Sequence, residues 1–387
     1  MFLPERYEFY CPVKINSGNR ALDHLPFELD TLNAKKPFVI TGKNSVERGL
    51  VDIIIDAFKD SGLTIGIFDG TPSSPDLKLI RDLFHTYRDR GYDAIIALGG
   101  GPVTDTAKVL NIAVSGEPED LEQCAGDGLI KKPLKPFFFI PTLSGSGYET
   151  SRYAFFEGRA YASRFLMPDI AVIDPRMTVA EDAKTTAVIS LAALTHAAEA
   201  YVSPGRSPLT DSYAYPAIQF VMENLLNVIK NPQDKKGGLA LANAHCLAGC
   251  AFSNIEAGIA HKLGKVIGDA GHIPHGICMG ILLPHVLETQ LSEDNYHISD
   301  LLLPLAGFDK YAETGADLRG ERAIGILYNF QRDLFAAGGG AIARTLRDAE
   351  VPKEILQDLA KKAFGYGSGC VDMEGYLKIL EQAWEGR

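Results

Sequence analysis

IIALGGGPVTDTAK, residues 95–108, is the stretch on which the fold turns. An apolar run ends in Gly99, Gly100 and Gly101, and a helical pattern begins at once. A strand that passes through glycines directly into a helix is the joint of a parallel α/β sheet. Glycine lets backbone N–H groups approach a phosphate, because no Cβ holds it away, and the helix N-terminus adds the positive end of its dipole. The wording is neither G-x-G-x-x-G nor a P-loop, so by itself it fits a phosphate-binding turn and a plain tight turn equally.

On either side the same alternation continues. KPFVITGKN (36–44), TIGIFDG (64–70), KPFFFIPT (135–142) and DIAVIDP (169–175) read as strands. Residues 45–61, 76–90 and the VTDTAKVLNIAVS segment read as helices. The stretch SGEPEDLEQCAGDGLIKKP near 115–133 is a polar loop. After about Thr178 the strand signals stop, and alanine- and leucine-rich helical patterns follow, with helix stops and starts at 338–340 and 351–354. The expectation is an α/β domain over 1–178 and an all-helical domain over 179–387.

The 387 residues, 46% of them hydrophobic and 22% charged, suit two cored domains. A net charge of −11 with no basic stripe argues against a nucleic-acid partner. The start has no basic segment followed by an apolar one, and no window reaches membrane-span length. The six cysteines form no C-x-x-C pair and read as small buried residues. A cytoplasmic protein with no membrane partner is expected.

Read in order, GGGPVTDTAK, IPTLSGSGYETS (140–151), DIAVIDP, LTHAAEAYVS (194–203), SPLTDSYA (207–214) and PHGICMGILLPHV (274–286) resemble the iron-containing (group III) alcohol dehydrogenase family. The resemblance spans about residues 36–290. It implies a dinucleotide-binding α/β domain, an all-α C-terminal domain of the dehydroquinate synthase-like architecture, and an active site in the cleft between them. It also implies NAD(P)-dependent interconversion of an aldehyde or ketone and its alcohol, in a family where homodimers are common; reduction of a small polar aldehyde or ketone is the expected direction. Carried over residue by residue, the expected cofactor set is Gly42, Lys43, Asn44, Ser74, Gly99, Gly100, Gly101, Pro102, Asp105, Thr142, Leu143 and Ser146. Pro102 replaces a usual serine, Leu143 a usual threonine, and Tyr148 a usual small serine. Gly42 stands where NAD-preferring members often carry aspartate, which repels a 2′-phosphate. With Lys43, Asn44 and Ser45 following, NADP(H) is expected over NAD(H).

The family holds its metal with an aspartate and three histidines. The matching positions here are Ala192, His196, Ala257 and His275, so two ligands are alanine. A catalytic metal site usually keeps three protein ligands, and an enzyme without the divalent metal is expected. The rival is a rebuilt site of His196, His275 and His272, with Glu256 poorly aimed. Without the ion, a hydrogen-bond donor must polarise the carbonyl. The candidates are His261, His275, His196 and His272, with His261 as proton donor or relay. His245, His285 and His297 read as structural. If Lys262 or Lys265 faces the site, an anionic substrate follows; if they face solvent, it does not. A nucleotide-binding protein that has lost catalysis is the reading from another class.

Overall fold

The computed structural model describes residues 3–116, 121–142, 147–178, 182–293, 296–367 and 371–386. The chain divides into two compact units, Cys11–Val179 and Met1–Tyr10 with Ala180–Arg387.

In the first unit the strands are β1 (Lys14–Ser17), β2 (Pro37–Thr41), β3 (Gly66–Phe68), β4 (Ala94–Gly99), β5 (Gly126–Asp127), β6 (Phe137–Pro141), β7 (Tyr153–Phe156), β8 (Arg159–Ala162) and β9 (Ile170–Ile173). Six form one parallel sheet in the order β1-β9-β6-β4-β2-β3. The central strands are apolar throughout because both faces are covered. Phe38, Ile40, Ile95, Ala97, Phe137 and Phe139 enter the core on one face. Their alternating neighbours Val39, Ile96, Leu98, Phe138 and Ile140 enter the core on the other. The unit's helices are α1 (Leu25–Thr31), α2 (Lys43–Glu47), α3 (Leu50–Phe58), α4 (Leu77–Arg90), α5 (Gly101–Ser115) and α6 (Leu121–Cys124).

The expected helix over 45–61 is two helices. Gly49 has φ +70° and separates α2 from α3. The edge strand β1 and the small sheet of order β5-β8-β7 escape the sequence reading, because their segments are short and half-exposed.

From β2 the chain moves outward to β3; from β4 it moves the opposite way, to β6 and β9. The strand order therefore reverses between β2 and β4. In an open α/β sheet, ligands bind outside the carboxyl ends of the strands at such a switch point. Those ends are Thr41–Gly42 and Gly99–Gly100.

The second unit is helical: α7 (Ala183–Val202), α8 (Pro208–Lys230), α9 (Lys235–Phe252), α10 (Ile259–Gly271), α11 (His275–Ser292), α12 (Leu302–Glu313), α13 (Arg319–Ala337), α14 (Leu356–Phe364) and α15 (Met373–Glu385). Helix α7 is buried almost all round; its alanines at 187, 193, 197, 198 and 200 let neighbouring helices come close. Residues Met1–Tyr10 group with this unit, not with the α/β unit. The Asn254 amide takes the Tyr10 N–H at 2.7 Å and donates to the Tyr10 carbonyl at 3.2 Å, and Phe9 stacks on Tyr213. Among the described residues no helix is long and apolar enough to cross a membrane.

One buried cation ties the first unit together. Lys108 is fully buried on α5 and donates to the carbonyls of Ser151 (2.7 Å) and Tyr153 (2.8 Å). Lys108→Met leaves both carbonyls without that donor and is expected to lower stability by about 1–3 kcal/mol. Urea denaturation reads it; an unchanged midpoint refutes this role.

Candidate active site

In the first unit, β4 runs through Gly99 into α5 with no linker. A Cβ at Gly99 would lie 2.8 Å from Val103 Cβ, so only glycine lets the helix start this close to the strand. Gly100 caps α5 in extended conformation and makes no side-chain capping bond. Helix geometry leaves the Gly101 and Val103 N–H groups without helical carbonyls, and Pro102 contributes none. This bare N-terminus, at the switch point, suits a pyrophosphate.

Gly42 caps α2 at the end of β2, and a Cβ there would lie 3.2 Å from the Thr71 carbonyl. Lys43, Asn44 and Ser74 are exposed, and Thr142 is buried at the end of β6. Arg48, absent from the sequence-based set, donates to the Thr142 carbonyl at 3.4 Å. Leu143 and Ser146 lie outside the described residues.

Asp105 is bonded within its own unit. Its carboxylate accepts from the Phe155 N–H (3.1 Å) and the Tyr148 hydroxyl (3.3 Å), so it latches the segment after β6 onto α5. Burial pushes the Asp105 carboxyl up and the Lys108 ammonium down, while each charge pulls the other back.

In the second unit, three of the four candidate histidines come together. His196 Nε2 lies 3.0 Å from His261 Nδ1, and the His261 and His275 rings are 4.9 Å apart, edge to face. His275 Nε2 is 3.2 Å from the His261 carbonyl; a carbonyl only accepts, so the His275 hydrogen is on Nε2. Burial pulls His261 down to about 3 and His196 well below its ordinary range; His275 is also lowered, first by burial. All three are neutral imidazoles near pH 7. Phe252, missed by the sequence reading, stacks on His196 at 4.1 Å and lies 5.0 Å from His261. His272 stands apart from the expected set: it is exposed, in the left-handed C-cap of α10 with φ +52°.

Glu199 is the other residue missed. It lies three residues beyond His196 on α7, and its buried carboxylate caps α10, accepting from the N–H groups of Ala260 (2.7 Å) and His261 (3.4 Å). A Cβ at Gly258 would overlap that carboxylate. Burial pushes the Glu199 carboxyl up to about 7. The pairing of an acid on an alanine-rich helix with a glycine before IAH was the available signal.

The family's metal set does not fit these residues. Ala192 presents a methyl beside Gly276, Glu256 is exposed and bonded to Lys262 at 3.2 Å, and Glu199 is turned to backbone amides. Among the described residues no group of three or more His, Cys, Asp or Glu side chains is arranged to hold an ion. The lysines are also engaged. Lys262 is buried between Glu256 and the Gly367 carbonyl, and Lys265 pairs with Asp269 at 3.5 Å. Both lysines thus have an acidic partner in their own unit, and both add to the lowering of His261.

Both units match one family. "Iron-containing alcohol dehydrogenase" matches residues 12–175, and "Fe-containing alcohol dehydrogenase family, C-terminal" matches residues 186–372. The chain is 30% identical over 353 residues to long-chain-alcohol dehydrogenase 1 of Geobacillus thermodenitrificans, covering 89% of this chain and 87% of that protein. It is 28% identical over 365 residues to the NAD-dependent methanol dehydrogenase of Bacillus methanolicus, covering 92% and 93%. A crystal structure of 1,3-propanediol oxidoreductase superposes with a TM-score of 0.89 at 26% identity, over 98% of this chain and 100% of that one. The fold and the matches define an oxidoreductase of the alcohol dehydrogenase type. The chain belongs to the iron-containing alcohol dehydrogenase family.

Glu199→Ala is expected to cost about 0.5–2 kcal/mol through loss of the α10 cap, with Glu199→Gln retaining most of it. Thermal melts that rank the two variants equally would refute the cap. His245 is 1% exposed, its ring nitrogens find no hydrogen-bond partner among the described residues, and burial pulls it down to about 3. The unfolded chain protonates it from its ordinary 6.5 downward, whereas the folded chain does not until about 3. Its neutral form therefore supports folding fully above pH 6.5, and that support falls as pH drops through the window. His245→Leu is expected to flatten the acid side of the stability–pH curve; an unchanged slope rejects the assignment.

Proposed function

We propose that the chain is an NAD(P)-dependent carbonyl reductase and alcohol dehydrogenase for small polar aldehydes or ketones, preferring NADP(H) and working without a catalytic metal ion. The observation that carries the reading is the His196–His261 ring pair at 3.0 Å, among buried neutral imidazoles to which no carboxylate among the described residues is bonded. A bound dinucleotide supplies the hydride that reaches the carbonyl carbon. The chain's task is to place hydrogen-bond donors on the carbonyl oxygen and deliver a proton there.

In the tautomer with hydrogen on His196 Nε2, His261 Nδ1 accepts it, and the His261 hydrogen sits on Nε2. That N–H polarises the oxygen. As it passes to the alkoxide, the His196 hydrogen moves to His261 Nδ1 and a proton from solvent enters at His196 Nδ1, so both rings end neutral. His275 holds the His261 carbonyl, and Glu199 holds the His261 N–H, so the ring's backbone is fixed on both sides. A neutral imidazole is a sufficient donor here because a buried site strengthens each dipole.

The preference for NADP(H) is supported by the missing carboxylate at Gly42 and the exposed Lys43 after it. Gly42→Asp is expected to shift the ratio of NADPH to NADH affinity toward NADH by about tenfold or more, since a close unpaired charge repels a 2′-phosphate. Equal affinities in both proteins would remove the preference. The metal-free reading is tested on protein purified without chelator. Carbonyl reduction at far below one ion per chain, unaffected by chelator and reduced about a hundredfold or more in His261→Ala, is expected. One zinc or iron per chain, lost in His275→Ala, overturns it and restores the metal-dependent alternative.

A further inference from the structure

The phosphate turn and the loop facing it each carry an unusual residue: Pro102, without hydroxyl or N–H, and Tyr148, a large ring in place of a small side chain. Pro102 belongs to the first turn of α5, and Tyr148 lies against that turn. Tyr148 Cε2 lies 3.7 Å and its hydroxyl 3.8 Å from the point where a Cβ of Gly101 would stand. The ring is held from below. Its hydroxyl reaches Asp105 Oδ2 at 3.3 Å, and the Lys108 ammonium lies 5.3 Å from its centroid. Gly101, Asp105 and Lys108 follow one another along one face of α5 at helical spacing.

We propose that the Tyr148 phenol oxygen accepts a hydrogen bond from the ribose hydroxyl on the nicotinamide side of the dinucleotide, and so fixes that half of the cofactor. This rests on the reading of the glycine turn given under Proposed function. Two arguments lead to it. The first is sheet order. β4 lies between β2 and β6. With the pyrophosphate on the turn after β4, the adenosine ribose goes to the β2 side, where Gly42 and Lys43 stand. The other ribose then falls on the β6 side, and Tyr148 follows β6.

The second is hydrogen-bond polarity. A phenol has one hydrogen, and here it points to a carboxylate. A further group can meet this oxygen only as a donor. Phosphate oxygens are acceptors and gain nothing, whereas a ribose hydroxyl is matched. Tyr148 is thus a specificity-determining contact, placed where Pro102 offers no polar group of its own.

The test uses three ligands of increasing reach, ADP, ADP-ribose and NADH, bound to the full chain and to Tyr148→Phe. Phenylalanine keeps the ring over Lys108 and removes only the oxygen. The variant is expected to lose about three- to tenfold in affinity for ADP-ribose and NADH, the range of one neutral hydrogen bond, with ADP unchanged. Unchanged ADP-ribose binding overturns the proposal. So does an equal loss on ADP, which would mean the phenol acts on the turn as a whole. A loss on NADH alone moves the contact to the carboxamide and rejects the ribose assignment. If the wild-type chain binds none of the three, the glycine-turn reading itself has failed, an outcome distinct from any effect of the substitution.

Discussion

The first unit depends on one close approach. At Gly99 the backbone passes within 2.8 Å, measured from an absent Cβ, of the Val103 side chain. That contact seats α5 on the sheet with no spacer after β4. The rest follows from where α5 then lies. Its bare N-terminus points out of the sheet at the switch point, and Asp105 and Lys108 face the segment 151–155 and hold it. Two buried ionisable groups are tolerated because each is hydrogen-bonded and each offsets the other's charge. The glycine turn and the segment 151–155 are therefore held by the same helix.

In the second unit the organising cost is desolvation of imidazole. His196, His245 and His261 sit in an environment that excludes the protonated form. A divalent ion wants neutral imidazoles with an anionic partner; here the neutral imidazoles remain and turn to each other. Ala192 and Ala257 stand at two of the positions where the resemblance implies ligands, and the His196 and His261 rings meet each other at 3.0 Å.

Much of this was legible in the sequence. The central strands are long apolar runs, covered on both faces, so their burial is written in composition alone. The short strands β1, β5, β7 and β8 were not legible, since two to four residues are too few to establish a period. Of the candidate site, His196, His261 and His275 were readable through their family wording. His272 was misplaced because spacing along the chain cannot show that a residue adopts the left-handed cap and turns outward. Asp105 was legible as a motif residue but not as a latch, since its partners, Tyr148 and Phe155, lie on a distant segment. Glu199 and Phe252 needed the third dimension: each acts on a helix far from its own in sequence.

The absent side chain at Gly258 has a consequence for the helix that carries His261. Any larger residue there overlaps the Glu199 carboxylate, and a shorter residue at 199 leaves the first amides of α10 uncapped. A side chain at 258 displaces the carboxylate, so the α10 cap belongs to the pair of positions rather than to Glu199 alone. His261 is the third residue of the helix that this cap begins, so the imidazole pair takes its placement from a position that carries no side chain at all.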